Sequence, residues 1–84
     1  MSRPHEPVSL PVWQRFLAEH ATGDVLSGQV VDVVPFGAFV DVGDGIHGLI
    51  HVSEWVTPIE TGTTVSVRIN TVDEAGRRLS LTPA

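Results

Sequence analysis

Two phenylalanines lie close together at the start of residues 36–54, which read FGAFVDVGDGIHGLIHVSE. In the strand predicted after Gly37, alternation between two faces places Phe39 opposite the neighbouring valines, on the face expected to be wetter. An aromatic ring on such a face is suited to stacking against a flat group such as a nucleic-acid base, worth about 1–3 kcal/mol per base. Phe36 and Phe39 are therefore candidates for a stacking platform. For Phe36, simple closure of the rim of the fold is the alternative.

The other polar residues form no catalytic or metal-binding pattern. The sequence has no cysteine, so we expect no disulfide, thiolate nucleophile or cysteine-bound zinc. His47 and His51 are four positions apart on one predicted strand, about 13 Å, which is too far to share an ion. His5 lies in the N-terminal leader and His20 on a predicted helix. No catalytic triad or phosphate-binding glycine loop is present, and we expect neither enzymatic activity nor a cofactor or metal.

Five segments of β-type sequence follow one another after Gly23. The predicted strands are Val25–Val34, Ala38–Val42, His47–Val52, Thr64–Val72 and Arg78–Thr82, with Val65, Val67, Ile69, Leu79 and Leu81 pointing inward. The first strand has apolar residues on both faces, as a strongly bent barrel strand does. Gly43-Asp44-Gly45 predicts a hairpin turn. Five strands with short turns in about 60 residues predict an all-β fold, a five-stranded OB-fold barrel.

An α-helix is predicted before the barrel. Its apolar residues recur at helical spacing and fall near one face: Leu10, Trp13, Phe16, Leu17 and Ala21. Ser9 is a suitable N-cap, and Gly23 is a suitable C-terminal stop. We predict a helix over Leu10–Ala21, so that 1–22 forms a leader with an amphipathic helix and 23–84 forms the barrel domain.

The stretch Gly23–Thr82 resembles the S1 RNA-binding domain. This OB-fold module is repeated in the bacterial small-ribosomal-subunit protein and recurs in polynucleotide phosphorylase, ribonuclease E and transcription factors. The matching motifs are Gly28-Gln29-Val30 with Val33, Phe36-Gly37-Ala38-Phe39-Val40, Gly48-Leu49-Ile50-His51-Val52-Ser53-Glu54, Val72-Asp73 and Arg78-Leu79-Ser80-Leu81. The resemblance implies non-catalytic binding of single-stranded RNA.

The same resemblance implies further contact residues. His51 matches a histidine beside the aromatics, with a rim histidine bonded to backbone as the alternative. Asp73 and Arg78 match an acid–arginine pair bracketing the last turn, and an exposed ion pair of little energetic value is the alternative. Arg77 is a second candidate for the phosphate contact, although we favour Arg78. Arg68, predicted to point outward, is a candidate for the same patch.

The charge of the barrel opposes strong RNA binding. After Gly23 there are three arginines against eight acidic residues, so this segment carries the whole net charge of −5. Phosphate contacts normally supply most of the affinity for nucleic acid. We therefore expect weak binding with little sequence preference. The alternative is a protein-interaction module that docks on ribosomal, RNA-processing or transcription proteins through its acidic surface.

The expected setting is the bacterial cytoplasm, in translation or RNA metabolism. Single-stranded RNA is the expected partner, with the ribosome or RNA-processing proteins as further candidates. The apolar stretches are too short to span a bilayer, and the first twenty residues lack the basic start and apolar block of a signal peptide. We expect a monomer.

Two features stay open. The connection Ser53–Thr63 is shorter than in similar domains, and we hypothesise that Trp13 and Phe16 plug the barrel end that this loop would cover. The alternatives are a helix packed outside the barrel or docked on a partner. Trp55 has three interpretations: extension of the stacking face, anchoring of a partner, or packing of the shortened loop, which we favour.

Overall fold

A closed five-stranded barrel preceded by one helix forms the fold in the computed structural model, which describes residues 8–84. The elements are α1 Leu10–Glu19, β1 Val25–Val34, β2 Gly37–Asp41, β3 His47–His51, a 3₁₀ turn Val52–Glu54, β4 Thr64–Asp73 and β5 Arg78–Pro83. Each predicted strand is confirmed to within one residue at either end. The predicted proline-rich leader, with His5, lies mostly in residues 1–7, outside the described residues.

The strands close in the order β1-β2-β3-β5-β4. All neighbouring pairs are antiparallel except β3 and β5, which are parallel. β1 pairs with β4 through Val25–Gln29 and with β2 through Gln29–Val34, with a register shift between Val30 and Asp32. This double pairing explains why β1 is apolar on both faces. The OB-fold barrel predicted from the sequence is confirmed.

The turn between β2 and β3 has the conformation that its glycines predicted. Gly43, Asp44 and Gly45 all have positive φ, at 125°, 55° and 76°. Glycine adopts this region without a steric penalty, and aspartate tolerates it. The Asp41 carboxylate adds a local hydrogen bond, since its Oδ1 accepts from Gly43 N at 2.8 Å. Sequence-local chemistry therefore determines where β2 and β3 reverse direction.

Helix α1 ends at Glu19, two residues before the predicted Ala21. His20 is already extended, with φ −135° and ψ 150°. The Asp24 carboxylate then accepts a hydrogen bond from Ala21 N at 3.0 Å, and this local bond favours a turn over another helical turn. Ser9 takes the extended N-cap conformation, but its side chain makes no capping hydrogen bond.

The helix packs onto the interior of the barrel through its two aromatic residues. Trp13 and Phe16 are 2% and 6% exposed, and both belong to the barrel's interior cluster. The other residues of this cluster are the strand residues Val30, Ala38, Val40, Ile50, Val67, Ile69, Leu79 and Leu81, with Ile46 from the β2–β3 connection. This packing is the one expected of a plug. A helix packed outside the barrel would not place Trp13 and Phe16 in the interior cluster.

Two properties of residues 8–84 bear on function. No helix in this part of the chain is both long and apolar enough to cross a membrane. No group of three or more histidine, aspartate or glutamate side chains within the same residues is placed to hold a metal ion.

Candidate functional site

Four of the predicted contact residues meet in one surface groove. Its lining is Phe36, Phe39, Leu49, Thr71, Asp73, Arg78, Leu79 and Ser80, and its volume is about 270 Å³. We call this the aromatic groove. It runs across strands β2, β3, β5 and β4, which are consecutive neighbours around the barrel. The parallel pairing of β3 with β5 therefore brings residues that are far apart in the sequence into one site.

Phe36 forms one wall of the groove and is half exposed, at 51%. It occupies the two-residue turn between Val34 and Gly37, which are register partners. Its carbonyl accepts a hydrogen bond from Val52 N at 2.9 Å. A Cβ on Gly37 would lie 2.6 Å from Ile50 O, so only glycine permits this close approach of β2 and β3. These contacts hold the Phe36 ring at the rim.

Phe39 lies on the predicted face of β2 but is not exposed as expected. Ala38 and Val40 belong to the interior cluster, and Phe39 points to the opposite side of the strand. Its exposed fraction is nevertheless 5%, so the expectation of a solvent-facing ring is wrong. Its register neighbours are Asp32 on β1 and Leu49 on β3, and side chains directly opposite on adjacent strands lie about 5 Å apart. Because β2 has a neighbouring strand on each side, residues of both neighbours lie beside the Phe39 ring even on the outer face of the barrel.

The two phenylalanine rings contact each other edge to face. Their centroids are 6.2 Å apart and their planes are inclined at 87°. This is a preferred aromatic geometry, worth about 0.5–1.5 kcal/mol beyond simple burial. Phe39 thus packs against the Phe36 ring, and of the two rings it is Phe36 that remains exposed to solvent.

His51 is exposed at the end of β3, directly opposite Gly37 in the register. Its Nδ1 accepts a hydrogen bond from Ser53 N at 3.3 Å and lies 2.9 Å from Ser53 Oγ. A backbone N–H can only donate, so Nδ1 acts as the acceptor and the neutral ring carries its proton on Nε2. The backbone contact expected of a rim histidine is present. The same contact orients the ring, but His51 is not among the residues that line the aromatic groove.

Asp73 and Arg78 face each other as register partners at the start of the β4–β5 turn. Asp73 Oδ1 accepts a hydrogen bond from Gly76 N at 3.1 Å and thereby shapes the turn. Arg78 is exposed, and among residues 8–84 no carboxylate forms an ion pair with it. The alternative of a hairpin ion pair is therefore wrong within this part of the chain.

The other two arginines of the barrel lie outside the aromatic groove. Arg77 directs its guanidinium away from it, and its Nη1 donates to Val8 O at 3.0 Å. Arg68 pairs in register with Val25 and Thr82. It is five positions from Asp73 along β4, about 16 Å at the usual strand rise. The three arginines therefore do not form the single patch that was predicted. Arg78 is the arginine that lines the aromatic groove.

Three lining residues were not singled out in the sequence. Leu49 precedes the inward-facing Ile50, and Ser80 lies between the inward-facing Leu79 and Leu81, so strict alternation predicts that both point outward. Thr71 is different, because the register of β4 and β5 shifts between Ile69 and Thr71. Such a shift reverses the side-chain pattern, and no sequence signal marks it.

Trp55 packs the loop that follows β3. Its indole Nε1 donates to Ile50 O at 3.1 Å, and the half-buried ring packs against the interior cluster. The favoured loop-packing interpretation is therefore confirmed.

Three of the eight acidic residues of the barrel, Asp41, Asp44 and Glu54, lie near the two ends of β3. Asp41 ends β2 and Asp44 lies in the turn before β3, whereas Glu54 follows the C-terminal end of β3. Asp41 is also partly engaged, since its Oδ2 lies 3.8 Å from His47 Nε2 and its Oδ1 accepts from the turn backbone. The carboxylates of Asp41 and Asp44 are therefore separated from that of Glu54 by the length of β3.

Comparison with known proteins gives a consistent assignment. The family model described as S1 RNA binding domain matches residues 19–82. The small ribosomal subunit protein bS1 of Mycolicibacterium smegmatis is 38% identical over 77 residues, covering 82% of this chain and 16% of that protein. The polyribonucleotide nucleotidyltransferase of Pseudothermotoga lettingae is 41% identical over 64 residues, covering 73% of this chain and 9% of that protein. The chain therefore spans less than a fifth of either relative.

Solved structures share the fold. GSP13 from Bacillus subtilis superposes with a TM-score of 0.68 at 30% identity, covering 76% of this chain and 55% of that one. Mycoplasma genitalium RNase R, solved in complex with ribose methylated single-stranded RNA, superposes with a TM-score of 0.70 at 15% identity, covering 87% of this chain and 14% of that one. At that identity the second match concerns the fold alone.

Proposed function

We propose that this chain, which belongs to the S1 RNA-binding domain family, binds single-stranded RNA in the aromatic groove without catalysing a reaction. One observation carries the proposal. A half-exposed aromatic ring and an exposed arginine with no carboxylate partner among residues 8–84 line the same groove. An exposed ring and an exposed cation in one groove suit a base and its phosphate.

The four predicted residues that line the groove, and His51 opposite Gly37 in the register, have distinct roles in this proposal. Phe36 stacks on one base, while Phe39 holds the ring of Phe36 in place. Arg78 donates to a phosphate or lies flat on a base, both of which suit a planar guanidinium. His51 donates from Nε2 to a phosphate or a ribose hydroxyl. Asp73 shapes the turn that carries Arg78.

Binding should be weak and tolerant of sequence. Stacking accepts any base, since every base has a π-face. The net charge of −5 repels the phosphate backbone, and Arg78 is the arginine that lines the groove. We further propose a monomer acting in the cytoplasm in translation or RNA metabolism, with the ribosome or RNA-processing proteins as the setting. The similarity to a small ribosomal subunit protein supports that setting.

The direct test is a chemical-shift titration with a short unstructured RNA, comparing Arg78→Gln with Arg68→Gln. Both changes remove one positive charge from an exposed strand position. We expect Arg78→Gln to weaken binding by about 1.5 kcal/mol, because it removes a charge-assisted hydrogen bond, and Arg68→Gln to have little effect. Shifted amides should surround the aromatic groove. Equal effects of the two changes would contradict binding there, and no response to RNA would favour the protein-interaction alternative.

Salt dependence gives an independent prediction. Single-stranded nucleic acid contributes a slope of about 0.7 in log K against log salt for each phosphate neutralised. With Arg78 as the groove arginine, we expect a slope of magnitude about 0.7–1.4 for the unmodified chain. Fluorescence titrations at several salt concentrations measure it. A slope above about 2 would require a basic surface outside the aromatic groove.

A further inference from the structure

Arg77 adjoins Arg78 in sequence but contacts a different part of the fold. Its guanidinium Nη1 donates to the carbonyl of Val8 at 3.0 Å, joining the β4–β5 turn to the residue just before the N-cap of α1. Both residues are half-buried. Water competes less for a half-buried hydrogen bond, and charge-assisted bonds are the stronger class. The contact is therefore suited to holding two distant segments together.

The β4–β5 turn contains a conformation that needs such support. Arg77 has a φ of 52°, in the left-handed region that costs a residue with a side chain roughly 1 kcal/mol. Asp73 secures one side of the turn by accepting from Gly76 N. The contact of Arg77 with Val8 secures the other side. Arg78 follows immediately, so its backbone position at the aromatic groove depends on how this turn is held.

Val8 is itself fixed by its neighbours. It packs against the interior cluster, and its Cγ1 would lie 3.5 Å from a Cβ on Gly45 in the β2–β3 turn. The next residue, Ser9, accepts the hydrogen bond of Trp13 N through its carbonyl. Trp13 is buried in the barrel. The acceptor for Arg77 thus belongs to a segment that packs against the barrel.

We propose that Arg77 is a positioning residue for RNA binding, which anchors the β4–β5 turn on Val8 and thereby holds Arg78 at the aromatic groove. RNA affinity then depends on the N-terminal helical segment, although that segment does not line the groove. Arg77 makes no phosphate contact in this arrangement, because its guanidinium is directed to Val8. The inference rests on the proposed function of the aromatic groove.

The test measures RNA affinity for Arg77→Met and Arg77→Lys, each in the full chain and in an Arg78→Gln background. Methionine has a similar reach without a donor, and lysine keeps a donor for Val8. We expect Arg77→Met to weaken binding roughly threefold to tenfold, a range typical of indirect coupling. The salt slope should not change, and Arg77→Lys should recover part of the loss. In the Arg78→Gln background, Arg77→Met should cause no further loss.

Other outcomes overturn the inference. A salt slope reduced by about 0.7, or an equal loss in both backgrounds, would mean that Arg77 contacts phosphate directly. No loss of affinity would mean a purely structural role. Arg77→Gly guards against a folding defect, because glycine accepts the positive φ while also removing the anchor, and it should match Arg77→Met. If Phe36→Ala and Arg78→Gln also leave binding unchanged, the proposed function fails along with the inference. If those two weaken binding and Arg77→Met does not, the inference alone fails.

Discussion

Replacing Trp13 with alanine should lower the free energy of unfolding by about 3–5 kcal/mol, the usual cost of removing a buried aromatic side chain. Trp13 is 2% exposed and joins the interior cluster of the barrel, so its removal leaves a cavity between helix and strands. A domain of this size has a total stability of only about 5–10 kcal/mol. We therefore expect Trp13→Ala to retain only a few kcal/mol of stability at room temperature, as urea titration followed by circular dichroism would measure.

The matched control for this change is Leu10→Ala on the same helix. Leu10 is 46% exposed, and surface substitutions normally change stability by less than about 0.5 kcal/mol. A large difference between the two variants is the expected signature of a helix that acts as part of the core. Similar small effects of both would show that α1 is dispensable and that the plug hypothesis is wrong.

Phe36→Ala should weaken RNA binding by about 1–3 kcal/mol, which is the usual value of one stacked base. Phe36 is half exposed, so its removal should cost little more stability than the edge-to-face contact with Phe39, about 0.5–1.5 kcal/mol. Titration with a short unstructured RNA measures the affinity, and thermal unfolding measures the stability. Phe36→Trp should retain binding, because a larger ring still stacks.

Phe39→Ala is the contrasting variant on the same strand. Phe39 is 5% exposed, so we expect a loss of about 3–5 kcal/mol in stability. Its effect on RNA affinity should be smaller than that of Phe36→Ala when measured on the folded fraction, because Phe39 supports the stacking ring without presenting its own face. The reverse result, with Phe39→Ala affecting binding more and stability less, would contradict this division of roles.

Local sequence determined the strands, the β2–β3 turn and much of the candidate site. Period-two alternation reports which side of its own strand a residue occupies, and the positive φ values of Gly43-Asp44-Gly45 follow from residue type alone. Phe36 was predicted from its place beside Phe39 at the start of a strand, whereas Asp73 and Arg78 were predicted from the resemblance to the S1 RNA-binding domain. These features depend on neighbours within a few positions along the chain.

Only the tertiary structure determined how exposed each predicted residue is and which of them line the aromatic groove. Alternation assigns Phe39 to the outer face, but its burial depends on side chains that sheet closure brings from β1 and β3. Arg77 and Arg78 were both candidates for the phosphate contact in the sequence, with Arg78 favoured. They differ in the structure because the acceptor for Arg77 lies 69 positions away at Val8. Contacts of that separation are made only when the barrel closes and the helix packs onto it, so no local pattern encodes them.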